Sequence, residues 1–122
     1  MPETGKQIIG RLGEDIAVKH FVKHSFKVLD RNYRKKWGEI DIVAEKDNIL
    51  HFIEVKAVSC ETAYPEENVH FWKRQRLSRT IQTYLAEKDV SYETEWQMDV
   101  AAVFINHETK TAKIRIMENV LL

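Results

Sequence analysis

Glu54 and Lys56 stand two residues apart in the run Ile53-Glu54-Val55-Lys56, and Asp41 stands earlier in the chain between Ile40 and Ile42. On an extended strand, residues two apart project from one face. The Glu54 carboxylate and the Lys56 ammonium therefore point the same way, at the end of an apolar row formed by Leu50 and Phe52. A charge in such a place is costly unless it is paired or bound to a cation. Two acids on neighbouring strands repel each other, and a divalent cation resolves the conflict; oxygen donors of this kind suit Mg²⁺ or Mn²⁺. A cation held in this way can acidify a bound water and neutralise negative charge that develops beside it. A plainer reading stands beside it. An isolated E-x-K describes an exposed ion pair where a strand leaves its sheet, and Lys56 alone then neutralises one acid.

The elements that must position these residues follow from periodicity. Ile8 to His24 carries Ile9, Leu12, Ile16, Ala17 and Phe21 near helical spacing, and Gly10 and Gly13 mark close approach to another backbone. Phe26 to Tyr33 reads as a strand with a basic end. In Gly38 to Glu45, Ile40, Ile42 and Ala44 alternate with Glu39, Asp41 and Val43, which is the strand period. Lys46-Asp47-Asn48 is turn chemistry, and Ile49 to Ala57 is a second strand, so the pair forms a hairpin. Asp41 and Glu54 lie at similar distances from that turn, which puts them on neighbouring strands near one end. Residues 59–67 read as a loop. Asn68 caps a helix running to Glu87, with Leu77, Ile81, Tyr84 and Leu85 on one face. Trp96 to Ile105 is an apolar strand covered on both faces, and Ala112 to Met117 is the last strand. The order is α-β-β-β-α-β-β, for which a mixed sheet with helices packed on it is the natural solution.

Composition bounds the function classes. The 122 residues suit one domain, residues 1–122, with 43% hydrophobic and 31% charged side chains. A formal net charge of zero argues against a general polyanion binder, although segregated charge survives such a sum. The single cysteine, Cys60, has no partner for an intramolecular disulfide or a paired zinc motif, which suits a reducing, cytoplasmic location. No apolar run has the length of a signal segment or a membrane span, so no membrane association is expected.

Gly38-Glu39-Ile40-Asp41-Ile42-Val43-Ala44 followed by Phe52-Ile53-Glu54-Val55-Lys56 resembles the D…E-x-K signature of the PD-(D/E)xK nuclease superfamily. More closely, the chain resembles the bacterial YraN-like family of small uncharacterised proteins, which is similar in layout to archaeal Holliday-junction resolvases. The match runs from Gly10-Arg11-Leu12-Gly13-Glu14-Asp15-Ile16-Ala17 through both strands, Lys73, Arg76-Leu77 and Tyr84-Leu85 to Met98-Asp99-Val100. The resemblance implies a restriction-endonuclease-like fold and metal-dependent cleavage of DNA, with a leaning toward branched DNA. It implies that Asp41 and Glu54 bind Mg²⁺ or Mn²⁺, with the Val55 carbonyl as a third oxygen and Glu14 completing the site. Lys56 would orient or help deprotonate the attacking water. A homodimer is in keeping with folds that cut two strands symmetrically. The chain departs from the family pattern at Ala57-Val58, where a basic residue is usual, and at Gln97, where arginine is usual. Both departures bear on phosphate contacts.

Other residues admit more than one role. An acid early in a helix, such as Glu14, is favoured by the helix dipole alone. Glu39 shares the face of Asp41 and is a substitute ligand. Asp99 suits an ion pair with a basic side chain of the second helix. Arg31, Arg34, Lys35 and Lys36, with Tyr33 and Trp37 interleaved, precede the Asp41 strand. Lys73, Arg76 and Arg79 share one side of the second helix with Trp72. Among these, Arg34, Lys36, Lys73, Arg76 and Arg79 are the candidate DNA contacts; a solvated basic face, and for Trp72 a protein contact, are the alternatives. His20 and His24 have the spacing of a helical zinc pair but no evident third ligand.

Overall fold

A computed structural model of the chain describes residues 4–59 and 71–120, the side chains of residues 71–74 apart. The elements are α1 (Gly5–Lys23), β1 (Lys27–Lys35), β2 (Gly38–Lys46), β3 (Ile49–Val58), α2 (Phe71–Glu87), β4 (Glu95–Asn106) and β5 (Thr111–Met117). This is the expected α-β-β-β-α-β-β order in an α/β architecture. One mixed sheet holds the strands in chain order, with β3 and β4 parallel and every other neighbouring pair antiparallel. The parallel pair requires a crossover, and α2 lies within it.

Local chemistry fixes the element ends. Helix α1 begins at Gly5, earlier than periodicity suggests, because Thr4 and Gln7 form a capping box. Thr4 Oγ1 accepts from the Gln7 N–H at 3.2 Å, and Gln7 Oε1 accepts from the Thr4 N–H at 2.8 Å. The helix ends where Ser25 turns left-handed at φ 70° and the Phe26 N–H reaches back to the Phe21 carbonyl at 2.9 Å. Asp47 and Asn48 have φ of 53° and 66°, the two positive values that a tight primed hairpin turn needs. That turn pins the β2–β3 register from Lys46↔Ile49 to Ile42↔Ile53.

The sheet separates two apolar layers. Ala17 and Phe21 of α1 pack with Ile42, Ala44, Ile53, Ala101, Val103 and Ile105. Ile81 and Tyr84 of α2 pack with Ile40, Val43, Leu50 and Phe52. Leu12 is not on the docked face, as helical spacing suggested; it is 39% exposed. Helix α1 instead docks through Gly13, Ala17 and Phe21, the small residues letting it approach closely. Among the described residues, no helix is long and apolar enough to cross a membrane.

Asp99 is buried in β4, and among the described residues its partners lie outside α2. His51 of β3 meets it through Nδ1 at 2.6 Å, while Gln97 Nε2 donates at 2.8 Å and the Asn119 N–H at 2.9 Å. The parallel register brings His51 beside Gln97 in the neighbouring strand. Asp99→Ala strands all three groups, and a loss of about 3 kcal/mol in urea unfolding is expected. A loss below about 1 kcal/mol would mean that the network adds little to stability.

Candidate functional site

The β2–β3 ladder stops at Ile42↔Ile53, one step short of Asp41 and Glu54. Beyond that pair, residues 38–42 bond to β1 while residues 54–58 bond to β4. The sheet therefore forks, and Asp41 fills the fork. Its Oδ2 accepts a 2.7 Å hydrogen bond from the Val55 N–H, standing in for the main-chain partner that a continued ladder would supply. Alternation breaks at the same place: Ile40 packs on the α2 side, whereas Ile42 and Ala44 pack on the α1 side. The period-two reading of this strand put all three on one face, and the divergence of β2 from β3 is why it fails.

Each helix is brought to the fork by a glycine. A Cβ on Gly13 would lie 2.4 Å from Ala57 Cβ and 3.8 Å from Val55 Cγ1, so α1 lies directly on β3. Glu14, the next residue, thereby reaches the fork. A Cβ on Gly38 would lie 2.5 Å from Thr80 Oγ1 and 3.3 Å from the Arg76 carbonyl. This contact seats the first half of α2 over the start of β2, and Thr80 Oγ1 donates to the Arg76 carbonyl at 2.7 Å.

Two groups of charges meet there. Glu14, Glu39 and Asp41 each offer a carboxylate oxygen, all within 4.8 Å of one another. Glu54 and Lys56 form the second group, with Oε1 and Nζ 3.2 Å apart and the Glu54 side chain buried. Asp41 and Glu54 line one cavity of about 510 Å³ with Gly38, Glu39, Val55, Lys56, Arg76 and Leu77. Glu14 and Glu39 also line a shallower cavity on the α1 side, with Arg11, Asp15, Arg31 and Arg34. The acids thus connect the two faces of the sheet through its fork.

The electrostatics are strained. Burial pushes the Asp41 carboxyl up to about 7; the Val55 hydrogen bond opposes the shift, and the charges of Glu14, Glu54 and Glu39 add to it. Glu14 is also raised, chiefly by burial, with Arg31 opposing. Three acids crowded in this way favour a bound cation. The donors are hard oxygens, which fit Mg²⁺ or Mn²⁺ rather than a thiophilic metal. Sequence reasoning paired Asp41 with Glu54, added Glu14 through the resemblance, and held Glu39 as a substitute ligand. Among the described residues the three-acid group is Asp41 with Glu14 and Glu39, and the docking of α1 through Gly13 is what brings Glu14 into it.

The basic residues divide. Arg31 Nη2 lies 2.8 Å from Asp15 and 3.8 Å from Glu14. Arg34 Nη2 is 3.2 Å from Glu39, and Lys35 is paired with Glu87. The run before β2 is therefore largely balanced by local acids; Lys36 is exposed. Arg76 lines the acidic cavity, and the Arg79 guanidinium lies 4.1 Å over the ring of Trp37. That last contact joins residues far apart in the chain, and no sequence signal pairs them. The side chains of Trp72 and Lys73, together with Cys60 and the Asn68 cap, lie outside the described residues. The His20 and His24 rings stack at 4.1 Å, with His24 Nδ1 2.7 Å from the His20 carbonyl. They belong to no three-ligand group among the described residues.

Comparison with known proteins agrees with the extent of these features. A UPF0102 protein of Campylobacter hominis is 43% identical over 111 residues, covering 89% of each chain. One from Campylobacter fetus is 34% identical over 115 residues, or 93% of each chain. One from Caldicellulosiruptor bescii is 31% identical over 112 residues, 91% of this chain and 94% of that protein. The model of the same family matches residues 13–103, a span that opens at Gly13 and takes in the fork, the Arg76 helix turn and most of β4. The chain belongs to UPF0102, an uncharacterised protein family.

Proposed function

We propose that the chain is a divalent-metal-dependent nuclease of the PD-(D/E)xK superfamily, restriction-endonuclease-like in fold, that hydrolyses DNA phosphodiester bonds, with branched DNA the favoured class. The observation that carries this reading is the forked sheet, in which Glu14, Glu39 and Asp41 converge within 4.8 Å beside the Glu54–Lys56 pair. Glu14, Glu39 and Asp41 would hold the cation, with Glu54 lining the same cavity as Asp41. The bound cation would supply charge neutralisation at the phosphate and a more acidic water. Lys56, an ammonium facing Glu54, donates to a phosphate oxygen as charge develops there. Arg76 lines the same cavity and orients the phosphate. In the reaction the water oxygen bonds to phosphorus and the ester oxygen leaves with its electron pair. The proton that the water loses is balanced by the one the leaving oxygen gains.

The test is a panel of labelled DNAs (linear duplex, single strand, flap and four-way junction) incubated with Mg²⁺ and with Mn²⁺. Wild type is expected to cut at least one of them. Glu54→Gln and Lys56→Met should each lower the rate by about a hundredfold or more. Equal cutting by wild type and both variants would assign the activity to a contaminant. Sedimentation of the protein with and without a junction tests the homodimer.

A second reading, binding of DNA without cleavage, draws on Arg31, whose guanidinium lies 3.8 Å from Glu14 and can neutralise part of the cluster in place of a cation. Salt-sensitive binding with no product in either metal would select it.

A further inference from the structure

Trp37 lies in the turn between β1 and β2, next to Gly38, where that glycine seats α2. The indole is half-buried, and its Nε1 is shielded from solvent with no hydrogen-bond partner among the described residues. Burying an N–H in this way is unfavourable, so the ring is not held there by its polar atom. Its contact is with Arg79, whose guanidinium carbon sits 4.1 Å above the ring centroid. Arg79 itself is exposed. A guanidinium held over an indole is restrained in position, and when the two planes stack, the second face of the guanidinium is left for another ring. Trp37, Arg79, Gln75 and Arg76 line a cavity of about 380 Å³. Arg76 lines the acidic cavity as well, so the two adjoin.

We propose that Arg79, backed by Trp37, is a stacking platform for an unpaired base of DNA, while Arg76 holds the phosphate between that base and the acidic fork. The phosphate's place rests on the nuclease reading; the platform narrows the substrate to DNA with an unpaired nucleotide beside the bond to be cut. In a duplex both faces of each base are covered by stacked neighbours. An unpaired base has a face free, and protein planes that take it are aromatic rings or guanidinium groups. The cavity's volume lies at the low end of small-ligand sites, which fits one nucleotide rather than a helix. Trp37 is a positioning residue here, because it acts through Arg79.

The experiment compares a fully paired duplex with the same duplex carrying a short single-stranded flap. Binding is read by fluorescence anisotropy with Mg²⁺, on the full chain carrying Lys56→Met so that cutting is slow on the time of the measurement. The flap is expected to bind about tenfold more tightly. Arg79→Lys keeps the charge and loses the plane, so it should erase the preference while leaving the salt dependence of duplex binding unchanged. Trp37→Ala should erase the preference too, and Trp37→Phe should retain most of it; circular dichroism checks that each variant is folded. Equal binding of the two DNAs, or an undiminished preference in Arg79→Lys, overturns the platform. Cleavage is read separately on the chain with Lys56 intact. An Arg79-dependent flap preference with no cleavage removes the nuclease reading and leaves the platform. Cleavage indifferent to the flap and to Arg79→Lys does the reverse.

Discussion

Asp41→Asn is expected to lower Mg²⁺-dependent cleavage by about a thousandfold or more and, at the same time, to make the metal-free protein more stable. Both effects have one cause. The Asp41 carboxyl is pushed up to about 7 first by burial, and then by Glu14, Glu54 and Glu39. In the unfolded chain it titrates near the ordinary value of 3.8. The folded state therefore holds this proton more tightly than the unfolded state does. Below pH 3.8 the group costs nothing. The cost grows as pH rises from there and is complete above about 7. Asparagine carries no charge to bury, and its amide oxygen can still accept from the Val55 N–H. The gain at pH 8 is on the order of 2–4 kcal/mol, and the variant's stability should be flatter between pH 4 and 7 than that of wild type. Thermal unfolding in a chelator, at several pH values, measures this. Adding Mg²⁺ should then raise the melting temperature of wild type and leave Asp41→Asn unmoved. A variant less stable than wild type at pH 8 would mean that the carboxylate is better solvated or better paired than its setting indicates.

The second large effect concerns two glycines three residues apart on α1. Gly13→Ala puts a methyl 2.4 Å from Ala57 Cβ, an atom fixed to its own backbone that cannot swing aside. The helix must move off β3. Overpacking of this kind costs about 1–3 kcal/mol, against a gain of about 1 kcal/mol from replacing glycine within a helix. The net loss should be about 2 kcal/mol at the upper end of that range, and Glu14 should leave the cluster with the helix, weakening Mg²⁺ binding. Gly10→Ala meets nothing within 4 Å, so only the helix gain remains and the protein should become more stable by up to about 1 kcal/mol. Denaturant unfolding of the two variants beside wild type reads both signs. Stabilisation by Gly13→Ala would show that α1 does not depend on this contact to sit on the sheet.

These two positions also mark how far the sequence can be read. Alternation and turn chemistry are local, so the β2–β3 hairpin, its Asp47-Asn48 turn and the placing of residues 41 and 54 on neighbouring strands were legible, as was the order of elements; the fork that parts the strands at that point was not. Glycine at residues 10 and 13 suggested close approach, but which of the two makes it depends on how α1 rolls on β3. That roll puts Leu12 outside and Gly13 inside, against the hydrophobic ranking of the two. The same roll brings Glu14 to Asp41; the resemblance named Glu14 and the strand period named Glu39, but no local pattern showed that the two meet at Asp41 together. The partner of Asp99 was missed because a parallel neighbour contributes it: β3 and β4 are adjacent only after the α2 crossover. Trp37 and Arg79 meet through the seating of α2 at Gly38, again a tertiary fact with no local pattern. The broken alternation at Asp41 is a conflict between local period and fold, and it coincides with the candidate site, as functional sites often do.

The hydrogen bond from the Val55 N–H to Asp41 Oδ2 has a stereochemical consequence. With Oδ2 already accepting from the sheet, Oδ1 is the Asp41 oxygen with both lone pairs open to an ion. Calcium gathers about six to eight oxygens and readily takes a carboxylate edge-on, whereas magnesium wants about six at shorter range and keeps several waters. If the fork holds an ion, a carboxylate already anchored to the sheet would be less free to turn edge-on, which would favour the smaller ion. The contact that closes the sheet at its fork would then also bear on ion size.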